Sequence, residues 1–229
     1  MSESQEKLIE STLDFDGMLE MLRTVIHTIG ELFGLAFTKM ISKYSLEFQA
    51  EKVGEEPPEG LEDIDSMVEY IKKHKDKYSG GYNSLLYGIA KAEKMFEGAL
   101  GSGAKSVAYN VILKVISDSG VLDSFEGKME DLYEALSNYL EMSAAINLAV
   151  SQKIRKDSES AVLVNIISCP FKDTCEVANR EGITRVTGGQ DCIVLISNTA
   201  ALSKITGKAL DYTLEKYDPP NCEGKIYEI

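Results

Sequence analysis

The residues best suited to chemistry are four cysteines, Cys169, Cys175, Cys192 and Cys222, in the last third of a 229-residue chain. Thiolates prefer soft, tetrahedral centres, so four converging thiols would suit Zn²⁺ or, as the alternative, an iron–sulfur cluster. Their spacing, C-x5-C, C-x16-C and C-x29-C, is neither the C-x2-C knuckle of a zinc ribbon nor a ferredoxin run. Convergence is argued from placement instead: Cys169 follows a predicted strand, Cys175 comes about one helical turn later, Cys192 starts a helix, and Cys222 lies in the loop joining the last two strands. Ordinary buried cysteines and a redox-switch disulfide are the competing readings.

Other catalytic constellations are weak. The two histidines, His27 and His74, lie in the helical half, away from the cysteines and from any motif, and read as structural. No Gly-x-Ser-x-Gly elbow, His-Glu-x-x-His pair or Walker sequence occurs, and Gly101-Ser-Gly103-Ala-Lys105 follows a helix where a phosphate-binding loop needs a strand. Thr187-Gly188-Gly189-Gln190 is a flexible approach to a helix, and the carboxylates of 51–65 form a solvated charge-rich stretch. Whether the chain is an enzyme stays open, with the balance toward no. A net charge of −13 speaks against a nucleic-acid groove or an anionic membrane face, both of which need clustered positive potential. Small molecules or proteins are the expected partners.

The elements that must position these residues follow from periodicity. Apolar residues from Phe15 to Met40 recur at helical spacing, which predicts one long amphipathic helix bent near Gly30 or Gly34. Charges within 18–41 exclude a transmembrane reading. The segment 44–60, with Pro57, Pro58 and glycines, reads as a linker or exposed loop. Helices are predicted over 61–77, 82–100, 104–117 and 128–142. The period then changes to 2, giving a strand at 146–151 that pairs with 161–167 as a hairpin, a helix over 191–206 closed by Gly207, and strands ending near Tyr217 and at Ile229. The predicted class is α+β: N-terminal helices packed on a four-stranded antiparallel sheet, in the order helices then ββαββ. Residues 1–80 read as a helical extension with an exposed loop at 50–60, and 81–229 as a small-molecule-binding domain. An apolar pocket between helices and sheet would draw on Tyr82, Tyr87, Met95, Phe96 and Tyr109. The polar, acidic N-terminus has no signal-peptide pattern, so the expected location is cytoplasmic.

These elements, in this order, resemble the 4-vinyl reductase, or hydrocarbon-binding, domain family, related in fold to Golgi-transport ligand-binding domains. The resemblance covers about 82–229 and rests on the helix over 129–142, the hairpin ending Ile166-Ile167-Ser168-Cys169-Pro170-Phe171, Cys192 at a helix start, Gly207 closing that helix, the strand over 209–217, and Ile226-Tyr227-Glu228-Ile229. Where the family places cysteines at the end of the third strand and before the last, this chain has Tyr217 and Lys225, with Cys222 between them, and Asp218-Pro-Pro-Asn221 replaces the usual Gly-Asp turn. The resemblance implies a non-enzymatic sensor or carrier that encloses a small hydrophobic molecule, with a structural metal on Cys169, Cys175, Cys192 and Cys222. It also implies helix-mediated homodimers, while the acidic charge argues against direct nucleic-acid binding and membrane association. A redox or iron–sulfur protein using the same thiols, and a helix-mediated interaction module, are the alternatives.

Overall fold

Helix α1, Phe15–Phe33, starts where Asp14 accepts a hydrogen bond from the Gly17 amide at 2.7 Å, and it buries Met18, Leu19, Leu22, Val25, Ile26 and Ile29 along one stripe. The computed structural model describes residues 6–10, 13–56, 59–100, 103–125, 129–183 and 192–229, the side chains of 96–100 and 103–105 excepted. The predicted long helix is in fact two. Gly34 stands at φ +86°, a conformation that halts α1, and α2, Leu35–Val53, follows at once. The expected linker therefore begins ten residues late, because 44–53 is the second half of α2 and ends at Gly54 in the left-handed region.

The described chain divides into two compact units interleaved in sequence. One comprises residues 14–104 and 171–187, with α1, α2, α3 (Ile64–Lys73), α4 (Gly81–Leu100) and α7 (Lys172–Arg180). The expected boundary at 80/81 falls inside it, at the first residue of α4. Helices α2 and α4 pack so closely that a Cβ on Gly88 would lie 2.2 Å from Ser45 Oγ and 2.5 Å from the Ile41 carbonyl oxygen. Gln49, buried on α2, donates to Ser84 Oγ of α4 at 3.0 Å. Helix α7 is tied to α4 by the Thr174 hydroxyl, which donates to the Asn83 carbonyl at 2.7 Å. Tyr87 and Lys91 of α4 both donate to Glu181 Oε2, at 2.7 and 2.6 Å.

The other unit comprises 1–13, 105–170 and 188–229. Its sheet is antiparallel, with five strands and not the expected four, in the order β1-β2-β3-β5-β4. Strand β1, Glu6–Ile9, adds the extra edge by pairing Lys7 with Ile154. Strands β2 (Gln152–Ser158) and β3 (Ala161–Ile166) form the predicted hairpin, but β2 begins after the expected strand: Asn147 has φ +59° and sits in a turn. Strands β4 (Leu210–Lys216) and β5 (Glu223–Glu228) complete the sheet. Two helices, α7 and α8 (Ile193–Thr206), intervene between β3 and β4, so the order after α6 is ββααββ.

One face of this sheet carries Ile154, Val162, Val164, Tyr212 and Ile226, all buried. Helix α8 lies on it, with Ala200, Ala201 and Leu202 fully enclosed. Gly224 allows that approach, since a Cβ there would meet Leu195 Cδ1 at 2.4 Å. A buried amide pair, Asn198 Nδ2 to Gln152 Oε1 at 2.6 Å, fixes α8 against β2. Helix α5, Gly103–Asp118, leads to a 3-10 turn at Val121–Ser124. Helix α6, Leu132–Ala145, is capped by Asp131, which accepts from the Tyr133 and Glu134 amides and from Lys156 of β2.

Candidate functional site

Cys169, Cys192 and Cys222 all belong to the sheet-bearing unit. After β3, Ser168 turns through φ +51° and its amide donates to Asn221 Oδ1 at 3.0 Å. The Cys169 amide donates to the Pro220 carbonyl and the Ile166 amide to the Cys222 carbonyl, each at 2.8 Å. These bonds lace the chain around Cys169 to the approach of β5. Cys192 is the N-cap residue of α8, its carbonyl accepting from the Ile196 amide at 2.9 Å. The seating of Leu195 on Gly224 brings that helix start over the first residues of β5. Burial pushes the Cys192 thiol up to about 12; the nearby Leu195 and Val194 amides oppose the shift, and Cys169 and Cys222 reinforce it. At neutral pH Cys192 is therefore a protonated thiol.

Cys175 belongs to the helical unit, in the first turn of α7, where its amide donates to the Phe171 carbonyl at 3.1 Å. Among the described residues no three His, Cys, Asp or Glu side chains stand close enough to hold a metal ion. Cys169 and Cys222 lie near enough to Cys192 to bear on its ionisation, with Cys222 buried and Cys169 half-buried.

Both histidines have structural partners, as their sequence context indicated. His27 Nε2 lies 2.9 Å from Asp65 Oδ1, which also accepts from Arg23 Nε at 2.6 Å. His27, then Arg23, hold the Asp65 carboxyl below its usual range. His74 stacks on Tyr70 with ring centroids 4.3 Å apart, its Nδ1 2.9 Å from the Tyr70 carbonyl oxygen. The aromatic positions expected to line a pocket do other work. Tyr87 packs on Phe48 at 4.7 Å and Tyr82 sits edge-on to Phe15 and Phe171, all within the helical unit. Tyr109 is in the sheet-bearing unit, Met95 is 59% exposed, and the Phe96 side chain and the 187–190 glycine segment lie outside the described residues.

The sheet-bearing unit carries a cavity of about 550 Å³ where the 3-10 turn meets α6. Phe125, Met129 and Met142 give it an apolar wall; Asp123, Ser124, Asn138 and Glu141 supply the polar side. Asn138, Glu141 and Met142 share one helical face at i, i+3 and i+4. Lys7 of β1 pairs with Glu141 at 2.6 Å and donates to Ser137 Oγ at 2.7 Å, bracing α6 against the edge strand. The periodic pattern counts Met129 as helical core, yet α6 starts only at Leu132, which leaves Met129 free to face the cavity. A second cavity, about 490 Å³, lies in the helical unit beside His27, Leu35, Thr38, Lys39 and Asp65.

No family model matches the chain and no curated protein matches it. Among solved structures, a chain reported under "Modulating Heme Redox Potential Through Protein-Induced Porphyrin Distortion" aligns with 91% of this chain and 98% of its own length, at 13% identity and a TM-score of 0.34. A likeness at that level carries no argument about fold or ligand.

Proposed function

We propose that this protein binds a small hydrophobic molecule without transforming it, acting as a sensor or carrier, and that the site is the cavity between the 3-10 turn and α6. The observation that carries this reading is the pairing of a cavity of about 550 Å³ with an apolar wall of Phe125, Met129 and Met142 and a few polar groups on the opposite side. Cavities of roughly 300–1,000 Å³ with such linings are the usual form of small-molecule sites. Methionines suit the role because their unbranched thioethers adapt to irregular ligands. Support for binding without chemistry comes from the histidines, each engaged by a structural partner, and from the protonated state of the Cys192 thiol.

The test is native mass spectrometry of the purified chain against its denatured mass, repeated on Met142→Lys, which places a charged stem in the cavity. A retained organic mass that disappears in the variant is the expected result. A chain that carries no such mass, and whose Met129 and Met142 methyl resonances ignore every apolar probe added, would overturn the reading.

A second reading is favoured by the thiol trio: Cys192 with Cys169 and Cys222 would act as a redox group. It requires these thiols to oxidise at moderate potential, and mass spectrometry after exposure to a glutathione redox series, with loss of two mass units and peptide mapping, decides it.

A further inference from the structure

Resting on the cavity reading above, we infer that the ligand is an organic cation: a protonated amine carried on an apolar body. Among the described residues no cationic side chain lines the cavity, whereas two carboxylates, Asp123 and Glu141, do. The Asp123 carboxylate has no ion-pair or hydrogen-bond partner among the described residues. Glu141 is engaged by Lys7, but both side chains are exposed, 53% and 34%, and a surface ion pair of this kind is weakly held and exchangeable. Asn138 directs its amide nitrogen toward the Met129 sulfur at 3.7 Å, which leaves its carbonyl oxygen as an acceptor on the same wall. The polar side of the cavity thus presents acceptors and negative charge, and asks for a donor with positive charge.

The apolar wall agrees. The electron-rich ring face of Phe125 and the polarisable sulfurs of Met129 and Met142 attract a cation and pack against an alkyl or aryl body. A carboxylate or phosphate of the same size would meet like charge from Asp123 and Glu141, with only the Ser124 hydroxyl and the Asn138 amide as donors. The chain's overall charge of −13 adds a long-range pull in the same direction.

The experiment is methyl NMR on the full chain labelled at methionine Cε, with Met129 and Met142 assigned through Met→Leu variants. Two probes with nearly the same body are titrated: 2-phenylethylamine, a cation, and 3-phenylpropionate, an anion. The expected result is saturable shifts of the Met129 and Met142 methyls with the amine, little response to the carboxylate, and roughly tenfold weaker amine binding in Asp123→Asn. Because Asp123 is exposed, this variant leaves the fold intact, and unchanged shifts of the remaining methionines check that. Equal binding of both probes would overturn the charge assignment while leaving the cavity as a ligand site. Silence of both methyls to both probes would remove the cavity reading and this inference together.

Discussion

The chemistry of Cys192 is decided by where its sulfur sits. A thiol held near 12 against an ordinary 9.0 is ionised to only about one part in ten thousand at pH 8. Alkylation by iodoacetamide at pH 8 should therefore leave Cys192 unmodified long after an accessible cysteine has reacted; peptide mapping of a time course reads it, and prompt labelling at Cys192 would show the buried, protonated thiol to be wrong. The same shift bears on stability. The folded state holds its proton more tightly than the unfolded chain, so stability is at its full value below about pH 9 and falls as pH rises toward 12. Tyr78 and Tyr139, both pushed up to about 12, chiefly by burial, act in the same direction from their usual 10.0 upward. Denaturant melts between pH 8 and 11 should show this decline, with a shallower slope in Cys192→Ser. A slope unchanged by that substitution would assign the effect to the tyrosines alone.

Among the elements, two glycines test different physics. At Gly88 the backbone is ordinary but there is no room: a methyl would press on Ser45 Oγ and on the Ile41 carbonyl. Gly88→Ala should cost about 1–3 kcal/mol, the usual range for overpacking, because backbone and not a movable side-chain tip is in the way. At Gly34 there is ample room, with nothing within 4 Å, but φ is +86°. Gly34→Ala should cost about 1–2 kcal/mol through backbone strain. Urea unfolding of both variants measures this; a neutral Gly34→Ala would mean that the α1–α2 corner readily adopts another geometry. The α4–α7 join is read through Tyr87. Its phenol, raised above its ordinary value mainly by burial, bridges Lys91 and Glu181. Tyr87→Phe leaves the Lys91–Glu181 pair in place, so the expected loss is about 1 kcal/mol and faster amide exchange confined to α7.

For the molecule as a whole, the interleaving of the units sets how it can be divided. The sheet-bearing unit takes its edge strand from the first 13 residues, and the helical unit takes α7 from beyond β3. A fragment spanning 81–229 therefore lacks β1 and also lacks α1 and α2, whose apolar stripe and polar seam cover α4. It should fail to give a cooperative thermal transition, read by circular dichroism, while the full chain does. A cooperative melt of that fragment would show the sheet-bearing unit to be self-sufficient. Among the described residues, no helix is long and apolar enough to cross a membrane.

How much of this was legible in the residues differs by element, and the reasons are physical. Helix α1 was clear because its partners are apolar on one side. The latter part of α2 was hidden because beside Phe48 its buried face carries the polar residues Ser45 and Gln49, accommodated by close contact with α4 and by the Gln49–Ser84 hydrogen bond, which exist only after folding. Four-residue β1 carries too short a pattern to register and is a strand only because it pairs with β2, almost 150 residues away in sequence. The alternation of Ile146, Leu148 and Val150 imitated a strand, but Asn147 at φ +59° breaks the extended run.

At the candidate sites the division is similar. The sequence by itself determined the α+β class, the order of most helices and strands, the acidic charge, and the crowding of thiols into the last third, since composition and periodicity are local properties. Only the tertiary structure decided that Cys169, Cys192 and Cys222 share the sheet-bearing unit, that the helices split at Gly34, and that Met129 and Met142 face a cavity beside Asp123. Those outcomes depend on which distant surfaces pack together, and packing follows from shape and burial summed over the whole chain, which no single window of sequence contains.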